Sequence, residues 1–165
     1  MEGWQSPVYC VRLENERVLK RPTGSNPVSS ALIMSQTLFT STGTLRYGLT
    51  NLVLDVNQDI VEYYRALLPK WIRTNKQMYP AHISVVRHET PPNMELWNKY
   101  AGEEIQFSYS HEIRNSEIYY WLDAWCERLE EIRLELGLPV DSPYTRPPDG
   151  FAKTFHITIG NRKNM

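Results

Sequence analysis

The sequence has only two cysteines, Cys10 and Cys126, in 165 residues. Two thiols cannot build a disulfide framework, and the expected setting is a reducing, cytoplasmic one. Positive charge is not in excess either. The formal balance is −1, so no global basic field draws in long nucleic acid, although a local site can still hold a small anion. No apolar run approaches the roughly 20 residues that cross a bilayer. The opening residues lack a basic-then-apolar leader, so neither a membrane partner nor export is expected. The four histidines lack the paired spacing of a zinc site, and neither a metal nor a cofactor is expected.

What is present is an ordinary globular composition, 41% apolar and 22% charged, on a chain long enough for one domain with one sizeable core. Residues 1–33 differ from the rest. "KRPTGSNPVSSALI" is rich in Pro, Gly, Ser and Asn and carries no sustained periodicity, the pattern of a loop or a disordered arm. "GSNP" also matches one reading frame of the T-arm of a tRNA gene. The arm is therefore expected to be disordered or spurious, with Met34 as the true start. That leaves 165 − 33 = 132 residues, 34–165, for the domain.

The body of the chain is written twice. "YGLTNLVLDV" reads as a strand ending at Val56. A helix follows, with Asn57 as N-cap and Ile60, Tyr64, Leu67 and Trp71 at helical spacing; Pro69 ends or kinks it. The polar stretch "RTNKQMYP" leads to the strand "AHISVVR". In the second half "SEIYYWLDAW" reads as a strand through Leu122. Trp125, Leu129, Ile132 and Leu136 then share a helical face, with Gly137 as the stop. A Pro-rich loop, "LPVDSPYTRPPDG", leads to the strand "FAKTFHITIG". "PPNMELWNKYAG" is a short linking helix and "EEIQFSYS" a further strand.

Both late strands carry His-x-hydroxyl. Side chains alternate faces along a strand, so His82 and Ser84 share one face, and His156 and Thr158 share one face, while the intervening apolar residues point into the core. One His-x-Ser/Thr is a weak signal. Two copies, each after a matching helix, are a strong one. If the halves pack about a pseudo-two-fold axis, the pairs face one cleft. A neutral imidazole there can take a proton from an attacking oxygen and a protonated one can give a proton to the leaving oxygen. The hydroxyls can bind the non-bridging oxygens of a phosphate as charge develops. Neither motif contains a carboxylate, which argues against two-metal chemistry.

On these residues the chain resembles the 2H phosphoesterase superfamily, over about residues 44–160. The resemblance implies a two-lobed, internally duplicated α+β fold, with mainly antiparallel strands around a central cleft. It also implies metal-independent cleavage of cyclic phosphodiesters, with His82 and His156 catalytic and Ser84 and Thr158 on the phosphate. "GTLRYG" and "LWNKYAGEEIQFSYS" are similar to the phage anti-CBASS phosphodiesterases, which destroy cyclic di- and trinucleotide alarm signals in the cytoplasm of infected bacteria. That likeness implies a base-stacking role for Tyr47. The sequence departs from those enzymes at its end: only "NRKNM" follows Gly160, so base recognition is expected elsewhere. Tyr144 and Arg146 on the Pro-rich loop are candidates to stack and pair. Arg87 and Arg162, just after the motifs, are candidates for phosphate.

Three functions fit. One is a phosphodiesterase opening 3′,5′-linked cyclic oligonucleotides. Another opens 2′,3′-cyclic phosphates at RNA ends. The third is a non-catalytic sponge for cyclic nucleotides. The two halves are too alike in sequence to say which histidine is the acid.

Overall fold

The computed structural model describes residues 38–75, 77–150 and 155–163. The expected N-terminal arm, 1–33, and Cys10 lie outside them. Among the described residues seven strands and two helices follow one another: β1 (Leu38–Tyr47), β2 (Leu52–Val56), α1 (Gln58–Leu67), β3 (His82–Val86), β4 (Glu104–Ser110), β5 (Arg114–Asn115), β6 (Tyr119–Trp125), α2 (Glu127–Glu135) and β7 (Phe155–Asn161). The expected linking helix is a single 3-10 turn, Met94–Leu96.

All strand pairs are antiparallel, in the order β4-β1-β2-β3-β7-β6-β5. β4 also pairs β6 through Ser108↔Trp125 and Tyr109↔Ala124. That extra pairing closes six strands into one antiparallel barrel and corrects the expected two-lobed α+β architecture. The two strand–helix–strand units exist, as β2-α1-β3 and β6-α2-β7, but they are neighbours within one ring. Ring closure depends on β1, which the sequence reading did not identify as a strand. Its segment, LFTSTGTLRY, is largely solvent-facing, and its Ser and Thr residues hide the apolar alternation. Gly43 is needed where β1 crosses β2: a Cβ there would come within 2.6 Å of the Asp55 carbonyl oxygen.

Local chemistry accounts for the helix ends. The Asn57 side chain accepts a hydrogen bond from the Asp59 amide at 2.9 Å, as an N-cap should. α1 stops at Leu67 because Leu68 precedes Pro69 and is driven into extended backbone, φ −62° and ψ 138°. Its face differs from the expected one. Val61 and Tyr64 are buried, whereas Leu67 and Trp71 are exposed. In the second unit β6 runs on to Trp125, which is therefore a strand residue. Leu129 and Ile132 of α2 are buried as expected, and so is Leu136, its C-cap. Gly137 takes φ +79°. Its amide bonds the Leu134 carbonyl and the Leu138 amide bonds the Arg133 carbonyl, the paired closure of a Schellman end.

The core lies on one face of the sheet. Leu45, Leu54, Ile83, Ile157 and Leu122 occupy one cross-strand rank and cluster with Val61 and Tyr64 of α1 and Leu129 and Ile132 of α2. Arg133 is fully buried beside them. Its guanidinium donates to Glu89 at 2.9 and 3.0 Å, to the Pro139 carbonyl at 2.8 Å and to the Val85 carbonyl. Burial alone would raise the Glu89 pKa, but hydrogen bonds from Arg133 and Ser142 outweigh it and hold the carboxylate below its usual range. The cluster ties α2 and the loop after it to β3, the strand carrying the first motif.

Candidate active site

β3 and β7 are adjacent, with Ile83 opposite Ile157. Carried one residue each way, the antiparallel register sets His82 beside Thr158 and Ser84 beside His156. With Ile83, Val85, Phe155, Ile157 and Ile159 buried in the core, both His-x-hydroxyl pairs emerge on the opposite face. Pairing across the sheet, not packing between lobes, brings the motifs together. They form a compact four-residue patch in which each imidazole neighbours the other strand's hydroxyl.

The patch lies in a cavity of about 780 Å³, within the usual range for a small-molecule site. His82, Ser84, His156 and Thr158 all line it, as does Arg87. Among the described residues three cationic side chains line it, Arg46, Arg87 and Lys163, and no carboxylate does. A chain of net charge −1 thus has a locally cationic cavity, suited to a phosphate. Arg46 is partly neutralised by an ion pair to Asp55 at 2.5 and 2.8 Å.

Each histidine is held through the same ring nitrogen. His82 Nδ1 lies 2.8 Å from the Pro80 carbonyl oxygen, and His156 Nδ1 lies 3.1 Å from the Thr145 carbonyl oxygen. A carbonyl can only accept, so both Nδ1 atoms carry a proton and Nε2 is the nitrogen left for chemistry. The surroundings differ. The His82 bond is exposed at the rim, whereas the His156 bond is part-buried beneath the Pro-rich loop. Burial lowers the His156 pKa to about 4, against a smaller raising effect of the Thr145 carbonyl, with the positive charges of His82 and Arg87 lowering it further. At neutral pH His156 is a neutral imidazole with a lone pair on Nε2. On β6, Asp123 sits opposite His156 and Trp121 opposite Thr158. They are bonded to each other, Nε1 to Oδ1, at 3.0 Å, and burial raises the Asp123 pKa, with the Trp121 bond opposing.

Four expected binding residues lie off the cavity. Tyr47 points to the opposite side of β1 from Arg46, packs against the core and meets Trp97 edge-on at 5.0 Å. Strand alternation assigns the cavity to its neighbour Arg46. Arg146 is held to Asp141 at 2.6 Å and to the Gly150 carbonyl at 3.3 Å. It fixes the loop instead of pointing from it. Tyr144 is half exposed and meets His88 edge-on at 6.0 Å. The loop reaches the site through the Thr145 carbonyl, which holds His156. Arg162 is exposed, and its amide bonds the Ile118 carbonyl at 2.7 Å.

The sequence reading missed much of the wall: Asn75, Gln77, Met78 and Tyr79 before β3, Tyr119 at the start of β6, and Asn161 and Lys163 after the second motif. Gln77 donates to the Thr158 carbonyl, and Asn75 bridges to Asn161 and donates to the Lys163 carbonyl at 2.7 Å. The polar run "RTNKQMYP" was the available signal. His88 also reaches the cavity, with a positive φ of 54° that is unusual for a side-chain-bearing residue. His111 lies against Phe39 at 6.2 Å. Among the described residues, no three His, Cys, Asp or Glu side chains are grouped to hold a metal ion, and no helix is long and apolar enough to cross a membrane. In comparisons with protein-family models, curated proteins and solved structures, the chain matches none.

Proposed function

We propose that this protein is a phosphodiesterase of the 2H type that opens 3′,5′-linked cyclic di- or trinucleotides, acting in the cytoplasm of a bacterial host as a phage counter-defence enzyme. The observation that carries the reading is the Ile83↔Ile157 register, which gathers two imidazoles and two hydroxyls on one polar face of a cation-lined cavity. What is carried over from the 2H resemblance is the paired motif and its chemistry, not the two-lobed fold.

His156 is the base. Its Nε2 lone pair takes the proton of the ribose 2′-hydroxyl as that oxygen attacks phosphorus. His82, protonated, gives its Nε2 proton to the 5′-oxygen as the P–O5′ bond breaks. One P–O bond forms, one breaks, and the product is a 2′,3′-cyclic phosphate with a free 5′-hydroxyl. Water can open that ring with the two roles reversed. Ser84 and Thr158 donate to the non-bridging oxygens, where charge grows in the transition state. A bound phosphodiester anion raises the His156 pKa from its low resting value towards neutrality, which improves its match to a base working near pH 7. A metal has no step in this scheme.

The test is incubation in EDTA with 3′,3′-cyclic GMP-AMP, and separately with an RNA oligonucleotide ending in a 2′,3′-cyclic phosphate, with products read by mass spectrometry and His82→Ala/His156→Ala as control. Opening of the cyclic dinucleotide, absent in the control, supports the proposal. Opening of the RNA end alone moves the function to RNA processing. Tight binding with no product makes the protein a sponge.

A further inference from the structure

The cavity has two chemically different ends. The antiparallel register sets the start of β3 beside the end of β7, so the His82/Thr158 side faces one end and the Ser84/His156 side the other. Beyond Ser84 and His156 lie the β1–β2 hairpin and Arg87. Beyond His82 and Thr158 the wall holds rings and amides beside the Lys163 ammonium. Asn161 there has Tyr119 opposite it on β6 and Asn75 bridged to it on its other side. Tyr79 stands on the same rim and is 69% exposed. The Tyr119 ring already holds a cation, the Lys163 ammonium, 5.1 Å from its centroid.

We infer that this end is a nucleobase subsite, in which Tyr79 and Tyr119 offer stacking surfaces and Asn75 and Asn161, whose Nδ2 and Oδ1 respectively bond the Lys163 backbone, border the base edge with Oδ1 and Nδ2. The inference rests on the proposed function, since it names what the same cavity reads besides phosphate. An aromatic ring binds any base through its π face, and amides pair with base edges in either sense. Tyr119 is the fixed shelf, because the Ser116 hydroxyl accepts from its amide at 3.1 Å and its carbonyl accepts from the Ser116 amide at 2.9 Å. Tyr79 is the free one. Its exposed ring lies just before the strand that carries His82, so a base stacked on it is held next to the reacting phosphate. This takes the role that the family likeness implied for Tyr47, which packs against the core.

The test is calorimetric binding to the His82→Ala/His156→Ala protein, which removes turnover. The probes are 3′,3′-cyclic GMP-AMP and the same sugar–phosphate ring with both bases replaced by hydrogen. In that background Tyr79→Ala and Tyr119→Ala are each expected to weaken the base-bearing ligand about 10-fold or more, from the usual value of a base–aromatic stack. The baseless ring should be unaffected, and Tyr79→Trp should restore affinity. Equal losses for both ligands, no loss for either, or no binding of the base-bearing ligand by the parent would each overturn the subsite. Melting temperature checks that the variants fold. Failure of the proposed function looks different: wild-type protein would leave the cyclic dinucleotide intact while the binding pattern still held.

Discussion

The two His-x-hydroxyl strands are written alike and sit in unlike surroundings. His82 and His156 both donate Nδ1–H to a backbone carbonyl and both keep Nε2 for substrate. His82 takes its carbonyl from Pro80, two residues back, at an exposed rim. His156 takes its carbonyl from Thr145, eleven residues away on a loop that covers it. Cover means desolvation, and desolvation favours the neutral imidazole. The same His-x-hydroxyl spacing thus gives one imidazole that burial keeps neutral and one at an exposed rim, the asymmetry on which the proposed base and acid roles rest. The structure supplies an asymmetry that the near-repeat of the sequence conceals.

The most severe way to break the comparison is to remove the rings. His82→Ala and His156→Ala are each expected to lower kcat by about 10² to 10⁴, with binding of the cyclic dinucleotide retained. Single-turnover rates beside calorimetric affinities measure this, and a loss confined to affinity would refute the acid–base pair. Next come the hydroxyls. Ser84→Ala and Thr158→Val should each lower kcat about 10²-fold with little change in KM, as expected for donors that strengthen in the transition state. A change in KM alone would place them in ground-state binding.

Removing the clamp beneath the first motif tests stability instead. Arg133→Ala leaves Glu89 part-buried and uncompensated and is expected to cost about 3–5 kcal/mol in urea unfolding. The double variant with Glu89→Gln should recover part of that loss, because the stranded charge is then gone.

The unequal histidines also predict a pH dependence. The folded His156 pKa, about 4, lies below its ordinary value of 6.5. Between these values the unfolded chain binds more protons than the folded one, so stability rises with pH across that window and is lost as pH falls from 6.5 towards 4. The full span is worth about 3 kcal/mol at 1.36 kcal/mol per unit. Urea unfolding of wild type and His156→Gln from pH 4 to 7 measures it, and an unchanged slope in the variant would assign the effect elsewhere. For kcat/KM of the free enzyme, the acid limb from His156 should fall near pH 4, below that of an ordinary histidine. The smallest effect expected is at Tyr47. Tyr47→Phe should leave kcat and KM within about two-fold, because the ring packs on the core; a 10-fold loss by steady-state assay would return it to the site.

Much of the site could be read in advance because it depends on short-range rules. Period-two alternation put His82 with Ser84 and His156 with Thr158 on faces opposite the core residues. Asn57 and Gly137 marked a helix start and a helix end because caps act within a few residues. The same alternation rule, applied one position earlier on β1, would have chosen Arg46 over Tyr47. Trp71 was misplaced for a local reason too, since Pro69 ends the helix before its turn, and Leu67 because the buried stripe runs through Val61 and Tyr64 and leaves it on the exposed side. The rest of the wall was not legible. Apart from the polar run holding Asn75 and Gln77, the wall residues Tyr119 and Asn161 come from segments far apart in sequence, and neither carries a pattern of its own.

The sequence by itself determined which side chains β3 and β7 turn outward, where α1 begins and where α2 stops, because these follow from backbone geometry over a few residues. Tertiary structure decided the rest. The β4–β6 pairing made one closed ring of what reads as two halves, and the β3–β7 register set the two motifs side by side. Both are contacts between distant segments, set by how the whole apolar face is buried and not by any local run. The carbonyl of Thr145 over His156 is of the same kind. A proton's preference between two similar imidazoles depends on the solvent each has lost, and that loss exists only once the chain has folded.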